Sequence, residues 1–264
     1  MAAELVGTPG SGYTTDDGVL DVTITAPSGT IQDGEVLICV MMKNSGRTIS
    51  PPSGWVEISQ DNYTASWYKV ADSESGGYTF SSDQTSHHMH GAIFRTSGTD
   101  STTIDSATET EVITYNTTVE CSDVSVTTSG SLVFWWGHKG SPDTDTVASS
   151  TRGTEQYDVS GVTPANSLAV YVETSVSSGT APGADFTLTG ATGYKYGNGL
   201  AIAPSGGTTT AAPTTTAAPT TTAAPTTTVA PTTTAAPTTT APTTEPPANG
   251  YPVIHTYYVH LLSG

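Results

Sequence analysis

Hydrophobic and polar positions along residues 1–205 fall into short runs cut by Gly, Ser, Pro, Asn and Asp. Val19-Leu-Asp-Val-Thr-Ile-Thr-Ala26 alternates and then breaks at Pro27-Ser-Gly29, the pattern of a strand with one buried face. Glu35 to Lys43, after the turn Gln32-Asp-Gly34, is apolar almost throughout and predicts a more deeply buried strand. Trp55–Ser59 and Ser66–Ala71 read as a pair around Gln60-Asp-Asn62, followed by Tyr78–Ser81 and His88–Arg95. Further strands are expected at Glu111–Tyr115, Val119–Val126, Leu132–Lys139, Thr154–Val159, Leu168–Thr174, Ala184–Thr189 and Tyr194–Ala203. No stretch sustains a helical period. The pattern predicts an all-β head over 1–205, about a dozen strands packed as a two-sheet antiparallel β-sandwich of jelly-roll type.

Trp135 and Trp136 test that expectation, because adjacent strand residues face opposite sides. One should fill the core, and the other either lies under a loop or on the surface, where an indole makes a sugar-stacking platform, or is packed as well.

Patterning stops at Thr208. From there to Thr244 the chain repeats Thr-Thr-Thr-Ala-Ala-Pro with Val229 as the intruder, and it carries no aromatic residue and no charge before Glu245. Such a segment has nothing to bury and cannot offset its ordering entropy. Regularly spaced prolines among β-branched threonines bias it to an extended form. Residues 208–248 would reach roughly 130 Å fully extended and average about 35 Å as a flexible coil. The organisation expected is a head (1–205), an extended linker (206–248) and a short C-terminal segment (249–264). In that segment Val253, Tyr257, Val259 and Leu261 share one strand face. It is β-prone and too short to fold alone, so it needs an edge strand, further copies of itself in a homo-oligomer, or the surface on which the protein is mounted.

Charge narrows the partners. The chain carries a formal charge of −17, and all seven basic residues and 23 of the 24 acidic ones lie in the head, which gives the head −16. Nucleic acid and anionic lipid surfaces are disfavoured, and no apolar run approaches the length of a membrane span. Neither a basic n-region nor an apolar h-region marks a secretory signal at Met1-Ala-Ala-Glu-Leu. An outward-facing stalk without a leader suits a virion protein released by lysis, or a mature fragment restarted from a Met. Cys39 and Cys121 are too few for a disulfide framework.

Chemistry is sparse. His87-His-Met-His90 is the most metal-like cluster, with His88 and His90 on one side of a strand. Asp16-Asp17 and Pro142-Asp-Thr-Asp145 offer oxygen ligands of the kind calcium takes, without completing a calcium-loop motif. No cofactor is implied. Arg47 and Arg152 lie in polar loops that could grip an acidic sugar, with salt bridges to the many carboxylates as the alternative. No hydrolase elbow, metalloprotease helix, phosphate loop or dinucleotide fingerprint occurs, so the chain is expected not to be an enzyme. Aromatic candidates for ligand contact are Trp55, Trp67, Trp135, Tyr194 and Tyr196.

The order of several motifs resembles a β-sandwich domain of bacteriophage tail, fibre and other virion-associated proteins, also found in some bacterial surface proteins. The pieces are Pro27-Ser-Gly…Gln32-Asp-Gly-Glu-Val-Leu-Ile38, Ile49-Ser-Pro-Pro-Ser-Gly-Trp55, Ser66-Trp-Tyr-Lys-Val-Ala71, Gly77-Tyr-Thr-Phe80 and Gly91-Ala-Ile-Phe-Arg95. Ser131-Leu-Val-Phe134 and Gly199-Leu-Ala-Ile-Ala-Pro204 complete the set, which covers residues 19–204. The resemblance implies a structural or receptor-contacting role on the exterior of a virion and supplies no catalytic residue. Partners would be other virion proteins through the C-terminal segment, and host-surface glycans through the head. The rival reading is a carbohydrate-binding module of a secreted multi-domain protein, and a third is a weak glycan-cleaving enzyme.

Overall fold

The computed structural model describes residues 2–14, 19–43, 46–86, 89–106, 110–112, 117–140, 147–162, 166–189 and 194–206. All of them belong to the unit Met1–Thr215; the second unit, Thr216–Gly264, lies outside them, and with it most of the expected linker and the anchoring positions Val253, Tyr257, Val259 and Leu261.

The described residues form strands and no helix. In chain order they are β1 (Glu4–Tyr13), β2 (Val19–Ile24), β3 (Val36–Met42), β4 (Ile49–Ser50), β5 (Val56–Gln60), β6 (Thr64–Val70), β7 (Tyr78–Ser86) and β8 (His90–Ser97). There follow β9 (Thr99–Ser106), β10 (Thr110–Val112), β11 (Thr118–Glu120), β12 (Val124–Val126), β13 (Ser131–Gly140) and β14 (Val147–Ser150). The last are β15 (Thr154–Val162), β16 (Asn166–Val176), β17 (Gly179–Ala181), β18 (Asp185–Leu188) and β19 (Tyr194–Pro204). They pair antiparallel in two large sheets, β1-β8-β3-β6-β5 and β10-β19-β13-β16-β15 with β9 also on β19. Three small ladders accompany them: β2-β7-β4, β11-β18-β14 and β12-β17. The all-β expectation holds, and the expected pair of sheets gives way to five among the described residues.

The unforeseen sheets follow from how the two central strands are buried. Along β3, Val36, Ile38 and Val40 enter one hydrophobic cluster while Leu37, Cys39 and Met41 enter another. Along β13, Leu132, Phe134 and Trp136 join the first of these clusters, and Val133 and Trp135 join a third. Both strands are covered on both faces, which is why each reads as a continuous apolar run. The central cluster joins the two large sheets, with Phe94 and Phe134 edge-on at 5.5 Å. The outer clusters pack each large sheet against its small ladders.

The chain runs twice through one strand order. The path β8-β3-β6-β5 is matched by β19-β13-β16-β15, and β2-β7-β4 by β11-β18-β14, with the members in the same order along the sequence. The details agree. Gly34 and Gly130, both at positive φ (86° and 87°), turn the chain into the central strands. Their amides donate to Ala71 O at 2.9 Å and Val176 O at 2.8 Å, at the ends of β6 and β16. The closing strands carry Gly91-Ala-Ile-Phe-Arg-Thr-Ser-Gly98 and Gly199-Leu-Ala-Ile-Ala-Pro-Ser-Gly206. Val36 pairs with Thr96 whereas Leu132 pairs with Ile202, so the copies differ by a two-residue step of register, which preserves the faces.

β1 was not expected from the sequence. Its Pro9 and glycines weaken the strand signal, and it forms an edge of its sheet, where proline is tolerated. The glycines answer a steric need: a Cβ on Gly10 would lie 1.8 Å from Thr25 O, and one on Gly12 would lie 2.2 Å from Thr23 O.

Candidate functional site

A polar cleft of about 550 Å³ lies between the β3–β4 connection and the β5–β6 turn. Lys43, Arg47 and Thr48 line one wall; Glu57, Gln60 and Asp61 line the other. The local folding explains each placement. Lys43 extends β3 by donating its backbone N–H to Tyr63 O at 2.7 Å, and it is buried. Its ammonium donates to Arg47 O at 2.7 Å and Asn62 O at 3.1 Å, so one cation ties the two loops together. The Thr48 N–H donates to Asp83 Oδ1 at 3.0 Å, fixing the connection to β7.

Gln60 is held rigidly. Its Oε1 accepts from the Ile49 N–H at 2.6 Å, and its Nε2 donates to Ile49 O at 3.4 Å and Glu57 Oε2 at 3.0 Å. Support for the Asp61 wall comes from the second half of the head: buried Asn198 of β19 donates to Asp61 Oδ2 at 3.2 Å and Thr64 Oγ1 at 3.1 Å. Beside it Tyr196 stacks on Tyr63 with ring centroids 3.8 Å apart. Side chains locked by such bonds lose little freedom when a ligand arrives. Arg47 donates through Nη1 to Gln84, while its Nε is shielded from solvent and has no hydrogen-bond partner among the described residues.

The aromatic contact candidates go elsewhere. Trp67, Trp135 and Tyr196 are buried in full or nearly so, and Trp55 is buried with edge-on contacts to Tyr78 at 5.2 Å and Phe80 at 5.6 Å. None presents a ring face for stacking a sugar, since each packs in the interior. Trp135 and Trp136 are both packed, so of the two readings of the pair the one with neither indole exposed holds; small ladders cover Trp135 and the central cluster takes Trp136. Tyr194 pairs through its backbone with Gly140, and its side chain lies outside the described residues.

His88 also lies outside them. His90 turns inward, 1% exposed, with Nε2 2.7 Å from Tyr157 Oη, and burial pushes its imidazole down to about 4. A histidine committed to that tyrosine is a junction residue rather than a surface ligand, and among the described residues no group of three His, Cys, Asp or Glu could hold a metal ion. The acidic stretches Asp16-Asp17 and Pro142-Asp145 fall outside the description.

Arg152 grips Glu173 through Nε and Nη2, both at 2.9 Å, which realises its salt-bridge alternative. Cys39 and Cys121 are free and sit in different clusters, and burial pushes both thiols well above their ordinary value, leaving neither reactive. Of the cleft residues the sequence singles out Arg47 alone. Lys43, Glu57, Gln60 and Asp61 look like strand ends and a turn, and long-range pairing brings them together.

No protein-family model, curated protein or solved structure matches the chain. The likeness to bacteriophage proteins therefore rests on the sequence motifs alone.

Proposed function

We propose that this chain is a virion-displayed structural protein, non-catalytic, whose head stands on the Thr/Ala/Pro tract and whose last residues mount it on a capsid, tail or fibre. The head is read as stacked β-sandwich layers. The observation that carries this reading is the abrupt change at the end of β19: a wholly stranded, tightly cored unit meets a tract that cannot bury anything. A proline-rich extended spacer projects a folded unit and serves no purpose inside one. On this reading the head contacts host-surface glycans, and a flexible tether lets several heads with affinities no tighter than about millimolar act jointly to hold a particle near a cell.

Mass spectrometry of purified particles tests this directly. The chain is expected in intact virions, with peptides from residues 249–264 protected from protease and the tract cut first. Recovery of the protein only in culture fluid, bound to polysaccharide and apart from particles, would replace the virion reading with that of a secreted carbohydrate-binding module.

A further inference from the structure

The chain enters and leaves the head at one end. β1 begins there, with Glu4 paired to Ser97, and β19 finishes there, with Pro204 paired to Thr99 and the Ser205 N–H donated to Gly98 O at 2.7 Å. β3 and β13 start at the same end, since Val36 pairs with Thr96 and a Cβ on Gly130 would come 3.6 Å from Pro204. The opposite end of the first sheet is a row of paired residues: Tyr13 with His90, His90 with Met42, and Met42 with Thr64. Across three strand spacings, the row from Tyr13 to the β5–β6 turn is about 14 Å long. We propose that this row, from Tyr13 to Asn62, is the surface by which the head binds a neutral, hydroxyl-rich polysaccharide of the host cell surface.

The two ends of the row offer groups that reach solvent. Tyr13 is 45% exposed, and among the described residues it is the one aromatic ring that stands so far out of the protein. One side of it rests on His90, with centroids 5.6 Å apart and planes at 60°, which steadies the ring and leaves the remainder open to the apolar face of a sugar. Asn62 is exposed at the other end. Its backbone carbonyl accepts from the Lys43 ammonium at 3.1 Å, and among the described residues no hydrogen bond engages its side-chain amide. An amide both donates and accepts, as a sugar hydroxyl does. The turn that carries Asn62 is fixed before any ligand arrives: the Asp61 N–H donates to Thr64 O at 3.0 Å, and Asn198 holds the Asp61 carboxylate.

Spacing and charge set the class of ligand. Contact points about 14 Å apart suit a run of linked sugars rather than a single one. A head with a formal charge of −16 repels polyanions, so a neutral polysaccharide fits better than an acidic, sulfated or phosphorylated one. The row is also clear of the chain's own path, because the N-terminal strand and the strand that leads to the tract both end on the other side of the head. This inference rests on the glycan-contact part of the function proposed above and names the surface that makes the contact.

The test displays the full chain in many copies on beads, held through its C-terminus, so that weak contacts add. Cys39 and Cys121 are buried, so a polyethylene glycol maleimide takes only an introduced thiol: Asn62→Cys in the row, or Ser75→Cys in the exposed connection after β6 at the opposite end. The beads are applied to host cells, with polysaccharide stripped from those cells, split by anion exchange into neutral and acidic fractions, as competitors. Polymer on Asn62→Cys should lower binding about tenfold or more, because avidity fails once geometry forbids engagement, and polymer on Ser75→Cys should leave it unchanged. Tyr13→Ala without polymer should lower it severalfold. The neutral fraction should compete, the acidic fraction should not, and proteinase-treated cells should bind as before.

Equal loss from both polymer positions, loss from Ser75→Cys alone, full binding by Tyr13→Ala, competition by the acidic fraction alone, or loss on proteinase-treated cells overturns the assignment. Binding that the neutral fraction blocks and polymer on Asn62→Cys spares would sink this surface and leave the glycan-contact reading intact. Unlabelled beads that bind no host cell would sink both. Absence of the chain from particles would sink the virion reading and leave the bead comparison standing.

Discussion

His90 and Asn198 hold the same place in the two halves of the head, and they solve the same problem with different chemistry. Each immediately precedes the glycine that opens the Gly-to-Gly motif of its closing strand, and each is almost completely buried. His90 reaches from β8 to Tyr157 of β15, in the second half; Asn198 reaches from β19 to Asp61 and Thr64 beside β5, in the first. β5 and β15 are themselves counterparts. The junction is therefore an apolar centre flanked by two reciprocal polar contacts, one through a titratable imidazole and one through an amide. The glycines that follow are equivalent as well. A Cβ on Gly91 would come 2.5 Å from Ile24 of β2, and one on Gly199 would come 2.5 Å from Trp135 and 2.9 Å from Val124 of β12. Contacts within each copy, where a Cβ would meet its own ladder or sheet, keep the glycine, whereas the contacts between the copies leave the residue before it free to differ.

The largest effect should come from the shared centre. Phe134 lies in the cluster that takes residues from both large sheets, against Phe94. Phe134→Ala should cost about 3–5 kcal/mol, a large part of the stability of a typical domain. Because the cluster belongs to both halves, calorimetry should show one transition. Trp67→Ala in the first outer cluster and Trp135→Ala in the second should each lower that same transition. Two separated transitions, each answering to one of these variants, would mean that the halves are independent domains in contact.

The titratable contact should give the next largest effect. Burial holds the folded His90 imidazole at about 4, against an ordinary value near 6.5 in an unfolded chain. Between those values the unfolded state binds more protons, so stability falls as pH drops through the window. His90 alone accounts for about 3 kcal/mol of loss between pH 6.5 and pH 4. The groups facing it are the phenols of Tyr13 and Tyr157, with Asp158 next along β15. The Asp158 carboxyl is pushed up by burial and then by Glu155, which works in the opposite direction as pH falls. Urea unfolding of His90→Asn beside the parent isolates the histidine: the parent should lose stability more steeply on acidification. Parallel curves would show that His90 is not the sensor.

The strands were readable in the sequence where one face or both faces bury apolar side chains. β3 and β13 announced themselves through Val36–Met42 and Leu132–Trp136. β1 did not, because close backbone approach at Gly10 and Gly12 demands residues that look like a loop. Val119–Val126 was expected as one strand and is two, β11 and β12, parted at Cys121–Asp123. The duplication was written in the two Gly-to-Gly motifs of β8 and β19, but the intervening segments differ too much in length and composition for the repeat to stand out. The site was the least readable part. Lys43, Gln60 and Asp61 converge through loop pairings, and Asn198 arrives from more than a hundred residues away, a distance along the chain over which no local pattern extends.

The smallest effect, and the most diagnostic for the repeat, lies at that asparagine. Asn198→Ala removes two donated hydrogen bonds and leaves Asp61 and Thr64 facing a buried gap, at a cost of about 1–3 kcal/mol. It should also loosen the β5–β6 turn, since Asp61 is a wall of the cleft and its carboxylate is held from below by Asn198. Hydrogen exchange at Asp61, whose amide donates to Thr64 O at 3.0 Å, should accelerate in Asn198→Ala and stay unchanged in His90→Asn. Faster exchange at Asp61 in both variants would mean that the junction yields as a whole, and that the two polar contacts are not separable counterparts.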